Sequence, residues 1–224
     1  MDISTEKIAE MVKKVILEMG VASSKPEASQ KSDIPEGGIP IGVSNRHIHL
    51  NQEDYKILFG NKKIKIVKKL VQKNQYASNL FVTLKTNKSN IKKVRVVGPI
   101  RNYTQVEISK TDAINLGINP PVRESGNLKN AAKITIIGPE GKIEKNAAII
   151  ADRHIHLSPK DVKEKNLIGV KEVSVKFNSK KGTTFDHVKL KVQEEGVWEL
   201  HLDTDDANGS LLKTGDKADI IISK

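Results

Sequence analysis

The chain has 224 residues, contains no cysteine, and combines 37% hydrophobic with 29% charged side chains. This composition suits a globular protein of one or two domains, excludes disulfides and a thiolate zinc site, and leaves no apolar run near the roughly 20 residues of a membrane span. The formal net charge is +11, and residues 41–130 contain 17 basic and 5 acidic side chains, a net charge of +12. This excess indicates a polyanionic partner, either nucleic acid or a small phosphorylated ligand, or else a solvated lysine-rich surface.

Residues 3–19 are predicted to form an amphipathic helix, because six apolar side chains recur at helical spacing. They are Ile8, Met11, Val12, Val15, Ile16 and Met19. Gly20 follows as a C-cap, and residues 21–38 are rich in Ser, Pro, Gly and charged residues, which is typical of a linker. We therefore expect a helix at 1–20 that is tethered to the main body.

From residue 39 the sequence changes to short β-branched runs separated by turns, which is typical of β-sandwiches and small β-barrels. The predicted strands are Ile39–Val43, Lys65–Val71, Leu80–Thr86, Val94–Val97, Val106–Ser109, Ile134–Ile137, Ala147–Ile150, Val173–Phe177, Val188–Val192, Trp198–Leu202 and Ala218–Ile222. Short helices are predicted at 51–59, 111–116 and 159–166. Ser158 is a suitable N-cap for the third helix and Pro159 suits its first position. Asn208-Gly209 predicts a turn.

An internal repeat divides this body into two related halves, 39–130 and 131–224. The sequence NRHIHL at residues 45–50 recurs as DRHIHL at residues 152–157, and four of the six histidines lie in these two copies. A His-x-His pair on an extended segment directs both imidazoles to one face, where they can bind one metal ion. The alternative is a duplicated structural turn whose histidines are satisfied in a polar network.

A second, weaker match supplies a third ligand to each pair, as expected for a catalytic zinc site with an open position. Residues 105–113 (QVEISKTDA) align with residues 199–207 (ELHLDTDDA), which makes Glu107 the counterpart of His201. The predicted metal sites are His47, His49 and Glu107 in one half and His154, His156 and His201 in the other. Nitrogen and carboxylate donors favour zinc, with cobalt or nickel as alternatives.

Three further features lie outside these triads. Arg101 follows the Gly98-Pro99 turn, and its guanidinium is suited to bind phosphate or a developing oxyanion, unless it is an ordinary surface arginine. The loop RESG at residues 123–126 offers backbone N–H groups that can bind an anion, although such loops are common. His187 has no counterpart in the repeat and is predicted to lie at the surface.

The doubled RHIHL, GPIRNYTQVEIS, the RESG loop and ELHLDTDDANG resemble the PduL family of phosphate propanoyltransferases, the phosphotransacylases of bacterial microcompartments. The resemblance covers about residues 39–222. It implies a mainly β fold of two β-barrel domains with short capping helices, with strands free to exchange between the barrels. It also implies two zinc ions in one cleft and the reaction acyl-CoA + phosphate ⇌ acyl phosphate + CoA, with propanoyl or acetyl as the short acyl group.

The same resemblance assigns roles to individual residues. The five repeat histidines and Glu107 match the metal-ligand positions, and Arg101 matches the catalytic arginine. Ser125 and Gly126 match the phosphate side of the site. Lys68, Arg95 and Asn208 match positions that contact coenzyme A. Since phosphate can attack the thioester directly, no covalent acyl-enzyme is required, which agrees with the absence of cysteine.

The N-terminal helix and linker resemble encapsulation peptides, which implies a shell or cargo protein as partner and a location inside a microcompartment of the bacterial cytoplasm. Propanediol degradation is one pathway that such a compartment serves. We expect no membrane or nucleic-acid partner and regard a homodimer as plausible. The main alternative function is a dinuclear zinc hydrolase acting on a phosphorylated or thioester substrate, because the same ligands could activate water. A nucleic-acid-binding module would leave the doubled RHIHL unexplained.

Overall fold

The computed structural model describes residues 38–222, so the helix predicted at 1–20 and the linker up to residue 37 lie outside the described residues. Within this range the strands are β1 (Ile39–Ser44), β2 (His47–His49), β3 (Ile66–Lys69), β4 (Tyr76–Lys85), β5 (Asn90–Gly98), β6 (Gln105–Glu107), β7 (Val122–Arg123), β8 (Ala132–Ile137), β9 (Lys142–Ala151), β10 (His154–Leu157), β11 (Glu172–Lys176), β12 (Thr184–Val192), β13 (Glu199–Asp203) and β14 (Lys217–Ile221). The helices in the same range are α1 (Gln52–Phe59), α2 (Lys110–Leu116), α3 (Pro159–Glu164) and α4 (Thr204–Ser210).

The short helices begin where a polar side chain accepts a hydrogen bond from a backbone N–H of the first turn. The N-caps are Asn51, Ser109, Ser158 and Asp203. Ser158 forms a capping box, and Pro159 occupies the first helical turn, as predicted. The turn predicted at Asn208-Gly209 is wrong, because both residues lie inside α4. The Asp203 carboxylate accepts hydrogen bonds from the backbone N–H groups of Asp205 and Asp206. This cap stabilises the start of α4, and the helix continues through Asn208 and Gly209.

The described part of the chain forms two six-stranded β-barrels, which confirms the predicted mainly β, two-barrel fold. The first barrel runs in the order β4-β5-β2-β6-β9-β8 and closes where β8 pairs with β4. The second barrel runs in the order β1-β13-β10-β12-β11-β14 and closes where β14 pairs with β1. Strands β3 and β7 extend the first barrel beyond β4 and β9.

The barrels do not coincide with the two sequence halves, because each takes strands from the other half. Strand β1 precedes β2 in the chain but pairs in the second barrel, parallel to β13. Strands β8 and β9 lie beyond residue 130 but pair in the first barrel. The chain therefore crosses between barrels at Asn45-Arg46 and again at Asp152-Arg153, immediately before each His-x-His pair. Both histidine pairs consequently begin at the junction of the two barrels.

Each barrel has its own hydrophobic core, and the two repeats contribute to them in the same way. Ile48 and Ile155, the central residues of the two His-x-His pairs, are fully buried in the first and the second core. Side chains alternate along a strand, so burying these isoleucines directs the flanking histidines to the opposite face. Burial of each isoleucine contributes about 1.5–3 kcal/mol, which stabilises this orientation. None of the helices within residues 38–222 is long and apolar enough to cross a membrane.

Candidate metal and anion site

A cavity of about 420 Å³ lies at the junction of the two barrels. Both predicted ligand triads line it, and Arg95, Arg101 and Ser125 line it with them. The two triads thus face one common space, although their histidine pairs are separated by more than a hundred residues of sequence. The barrel junction brings them together because each pair starts where the chain crosses from one barrel to the other.

The first triad is assembled by the register of β2 against β6, in which His47 lies directly opposite Glu107. The Nε2 atom of His47 is 3.6 Å from Glu107 Oε2, and the Nε2 atom of His49 is 3.8 Å from Glu107 Oε1. The Nδ1 atoms point away and donate to backbone carbonyls, that of His47 to Asn45 at 2.8 Å and that of His49 to Val97 at 3.0 Å. In the neutral form of each imidazole this arrangement places the proton on Nδ1 and directs the lone pair of Nε2 towards the carboxylate.

The electrostatics of this triad favour the forms that bind metals. Burial, reinforced by neighbouring His47, lowers the pKa of His49 to about 3. Burial alone would raise the pKa of Glu107, but His47, His49 and Arg101 together outweigh it and hold that pKa at about 2. At neutral pH His49 is therefore an uncharged donor and Glu107 an ionised one, as metal coordination requires.

Two neighbours hold the Glu107 carboxylate by one of its two oxygens, and a third orients one of those neighbours. Gln105 Nε2 donates to Glu107 Oε1 at 2.6 Å, and Ser125 Oγ donates to the same oxygen at 3.1 Å. The backbone N–H of Gly126 in turn donates to Gln105 Oε1 at 2.7 Å. Gly126 has φ +101°, a conformation that strains other residues, so glycine suits this position. These bonds leave Glu107 Oε2 free to face His47.

The second triad is formed by His154, His156 and His201, with His154 directly opposite His201 in the β10–β13 pairing. His154 Nδ1 donates to the Asp152 carbonyl at 2.7 Å, and His156 Nδ1 donates to Gln193 Oε1 at 3.2 Å. Both Nε2 atoms are left without a proton, yet they lie only 3.1 Å apart. Two facing lone pairs repel each other unless a cation lies between them. Zinc–nitrogen bonds of about 2.0–2.1 Å give a tetrahedral N–N separation of about 3.3 Å, so this pair fits a divalent cation.

Burial keeps both histidines of this pair uncharged. It lowers the pKa of His154 to about 4 and that of His156 to about 2, and the nearby His201 adds to both shifts. Neutral imidazoles are the metal-binding form. The donors of both triads therefore fit divalent transition metals, zinc first among them.

The cavity also presents cationic groups that suit an anionic ligand. Arg101 Nη1 donates to Tyr103 Oη at 2.8 Å and to Ser125 Oγ at 3.2 Å, which fixes the guanidinium beside the first triad. Arg95 donates to the Ser78 carbonyl at 2.6 Å and stacks on the Phe81 ring, with its Cζ 4.4 Å from the centroid. Both arginines are ordered by neighbours before any ligand arrives.

The remaining residues predicted from the sequence do not line the cavity. Gly126 supports the site through its hydrogen bond to Gln105 but does not line the cavity. Lys68 and Asn208 are exposed and do not line it either. His187 is 81% exposed and pairs with Glu172, which agrees with the surface position predicted for it.

Sequence reasoning missed two residues of the site. Gln105 supports Glu107, and its position two residues earlier on the same strand is the signal that could have identified it. Lys191 lines the cavity from β12, directly opposite His156 in the β10–β12 pairing. Burial lowers the pKa of its ammonium group, and within residues 38–222 it forms no ion pair. No sequence signal separates Lys191 from the exposed lysines around it.

Comparison with known proteins identifies relatives over most of the chain. A family model described as phosphate propanoyltransferase matches residues 40–213. The chain is 46% identical to a phosphate propanoyltransferase of Thermotoga maritima over 193 residues, which is 83% of this chain and 90% of the relative. It is 38% identical to a phosphate propanoyltransferase of Rhodopseudomonas palustris over 96% of this chain and 97% of the relative. A third, from Salmonella arizonae, is 45% identical over 77% of this chain and 83% of its own length.

Proposed function

The chain belongs to the phosphate propanoyltransferase family and is an acyltransferase, and from this premise we propose that it interconverts a short acyl-CoA and phosphate with acyl phosphate and CoA. In the forward direction an oxygen of hydrogen phosphate bonds to the thioester carbonyl carbon and the carbon–sulfur bond breaks. The CoA thiolate then takes up the proton that the phosphate loses. The observation that supports this proposal most directly is that both triads and Arg101 line one cavity.

We assign metal binding to His47, His49 and Glu107 and to His154, His156 and His201. Metal ions held there would supply Lewis-acid stabilisation of the negative charge that develops on the reacting oxygens. Arg101 uses Nη1 for its two protein contacts, and within the described residues its Nε and Nη2 groups have no acceptor. These N–H groups can hold phosphate beside the thioester and stabilise the charge of the transition state. Holding both reactants in one cavity adds a proximity gain.

The charges around the cavity match the anionic substrates. Arg95, Arg101 and Lys191 line it, and CoA and phosphate are both polyanions. Because Lys68 and Asn208 do not line the cavity, we assign them to the outer parts of CoA, away from the reacting thioester. Ser125 has a supporting role, since its hydroxyl bridges Arg101 and Glu107.

The test of the proposed function is a phosphate-dependence assay with propanoyl-CoA and acetyl-CoA and zinc-loaded protein. We expect free CoA and acyl phosphate to appear together, in equal amounts and only when phosphate is present. A dinuclear hydrolase would release CoA and free carboxylate without phosphate, and that result would replace the proposed function by the alternative. Failure of any short acyl-CoA to yield acyl phosphate would reject it.

We also propose a location inside a bacterial microcompartment, with a shell or cargo protein as partner. This proposal depends on the amphipathic pattern of residues 3–19 and the linker composition of residues 21–38. The apolar face needs a partner surface, because a lone helix of this length is marginal in water. The net charge of residues 1–20 is −1, from four acidic and three basic side chains, which disfavours an anionic membrane as that partner.

A further inference from the structure

A buried carboxylate lies beside the second triad without belonging to it. Glu199 begins β13 two residues before His201, so the two side chains share one face of the strand. In the register of β10 against β13 it lies directly opposite His156. Its residue exposure is only 6%. A buried carboxylate is costly unless neighbours compensate it.

The closest contact of Glu199 is with a member of the triad. Its Oε2 lies 2.7 Å from His201 Nε2. A carboxylate can only accept a hydrogen bond, so this contact favours the His201 tautomer with its proton on Nε2 and its lone pair on Nδ1. His154 and His156 have the opposite arrangement, since their Nδ1 atoms donate and their Nε2 atoms are free. Glu199 thus determines which nitrogen His201 can offer to a metal.

Two residues from other strands and loops maintain the position of this carboxylate. Gly42 of β1 pairs with His201, and a Cβ at this glycine would lie 2.9 Å from both Cδ and Oε1 of Glu199. Gln72, in the connection between β3 and β4 of the first barrel, is buried and donates to Glu199 Oε2 at 3.4 Å. Gln72 also donates to the Val197 carbonyl at 2.9 Å and accepts from the Val197 N–H at 3.0 Å. The first barrel therefore orders the strand that contains Glu199.

The first half of the repeat has an equivalent hydrogen bond, but the residue types of the supporting side chain and the supported side chain differ. At the equivalent positions Gln105 supports Glu107, so an amide orients a carboxylate ligand. In the second half Glu199 supports His201, so a carboxylate orients an imidazole ligand. In each triad, the third member thus forms a hydrogen bond with the residue two positions earlier on its own strand. This recurrence distinguishes Glu199 from an incidental buried acid.

We propose that Glu199 is a positioning residue for the second metal site, which holds His201 Nε2–H so that Nδ1 joins the Nε2 atoms of His154 and His156 around a divalent transition metal. This inference rests on the metal binding assigned in the proposed function. Carboxylates that orient a metal-binding histidine typically contribute 10–100-fold to metal affinity.

The experiment measures zinc affinity by competition with a chromogenic chelator, in a His47→Ala background that leaves only the second site. We expect Glu199→Ala to weaken zinc binding 10–100-fold and Glu199→Gln to weaken it less, because an amide oxygen can still accept from Nε2–H. Glu195→Gln is the matched control, since Glu195 is exposed and its side chain, among residues 38–222, hydrogen-bonds only with Asn74. It should bind zinc like its parent. In a His156→Ala background, which leaves the first site, Glu199→Ala should have no effect.

Nitrogen-resolved NMR of the histidines gives a readout that is independent of metal and of activity. In the metal-free wild-type chain we expect the His201 proton on Nε2, and in Glu199→Ala we expect a mixture of tautomers. A proton on Nδ1 of His201 in the wild-type chain would overturn the proposal. A zinc affinity of the second site that changes less than twofold when Glu199→Ala is added to the His47→Ala background would also overturn it. If Glu199→Ala fails to fold, the wild-type tautomer and the Glu199→Gln affinity decide. A chain that forms acyl phosphate but binds zinc normally without Glu199 would refute this inference and leave the proposed function intact.

Discussion

The guanidinium of Arg101 donates to the hydroxyl of Ser125 at 3.2 Å. That hydroxyl donates onward to the Glu107 carboxylate at 3.1 Å, so a single side chain connects the arginine to the first ligand triad. Arg101 is further held by Tyr103, and its planar shape lets it keep both contacts while two edges stay free for a ligand. The arginine is therefore oriented with respect to the proposed metal ligands before substrate binds.

This geometry predicts that Arg101 acts mainly in the transition state. Arg101→Lys retains the charge but loses the planar donors, so kcat should fall about 100-fold while the KM for phosphate changes much less. Steady-state kinetics with propanoyl-CoA and phosphate measure both constants. Arg123→Lys is the control, because within residues 38–222 the Arg123 side chain donates only to the backbone carbonyls of Val122 and Lys129, and it should behave like wild type. Near-normal kcat in Arg101→Lys would remove Arg101 from the catalytic residues.

Each triad should hold one metal ion. His47→Ala and His156→Ala each remove one donor from a three-donor site, so each variant should lose one metal equivalent per chain. Elemental analysis after dialysis against zinc measures the content, with two equivalents expected for wild type. His187→Ala, at an exposed histidine, should retain both. A wild-type content of one or none would contradict the two-site assignment.

The metal-free protein should become less stable as the pH falls from 7 towards 4. The pKa values of His49, His154 and His156 are lowered to about 3, about 4 and about 2, mainly by burial, against 6.5 for an unperturbed histidine. At pH values between the lowered pKa of each histidine and 6.5, the unfolded chain binds more protons than the folded chain. The free energy of unfolding therefore increases with pH in this range and decreases on acidification. Each histidine contributes about 1 kcal/mol per pH unit in that interval.

Urea unfolding of the metal-free protein at several pH values measures this slope. Replacing His156 by glutamine removes one titrating group and should make the slope shallower. A slope in His156→Gln equal to that of the wild type would show that this histidine is not held uncharged in the folded state.

Neutralising Lys191 should weaken the binding of the anionic substrates. Lys191→Met keeps the length of the side chain and removes the only charge that β12 contributes to the cavity lining, so the KM for phosphate or acyl-CoA should rise about tenfold. Lys189→Met is the matched control, because Lys189 lies on the same strand but pairs with Glu124 and Asp152. Equal effects of the two substitutions would point to a general charge effect and not to a contact in the cavity.

Removal of residues 1–38 should separate location from catalysis. We expect the truncated chain to keep its metal content and turnover, because every site residue that the structure describes lies beyond this segment. We also expect it to lose co-localisation with a microcompartment shell. Fluorescence microscopy in a shell-forming bacterium measures the second effect. Polar substitutions at Met11 and Val15 should reproduce it without truncation. Loss of metal or precipitation of the truncated chain would instead make the segment structural.

The sequence alone determined the members of both triads. The doubled RHIHL marks the histidines, and the weaker match between residues 105–113 and 199–207 marks Glu107 and His201. These inferences are possible because strand alternation is a local property: a buried isoleucine between two histidines directs both imidazoles to the other face whatever the rest of the fold does. The two-barrel architecture followed from the density of short strands and from the family resemblance.

The family resemblance implied that the two sites share one cleft, but only the tertiary structure shows how the chain brings these groups together. The exchange of β1 and β9 between barrels places both triads at one junction, and it depends on pairings such as that of Gly42 with His201, which no local pattern encodes. The same holds for Lys191. Its sequence resembles that of other lysine-rich strands, and only the register of β12 opposite His156 places its side chain in the cavity lining. Strand register and the barrel to which a strand belongs depend on packing between segments far apart in sequence. Which side chains share a cavity can therefore be read only from the folded chain.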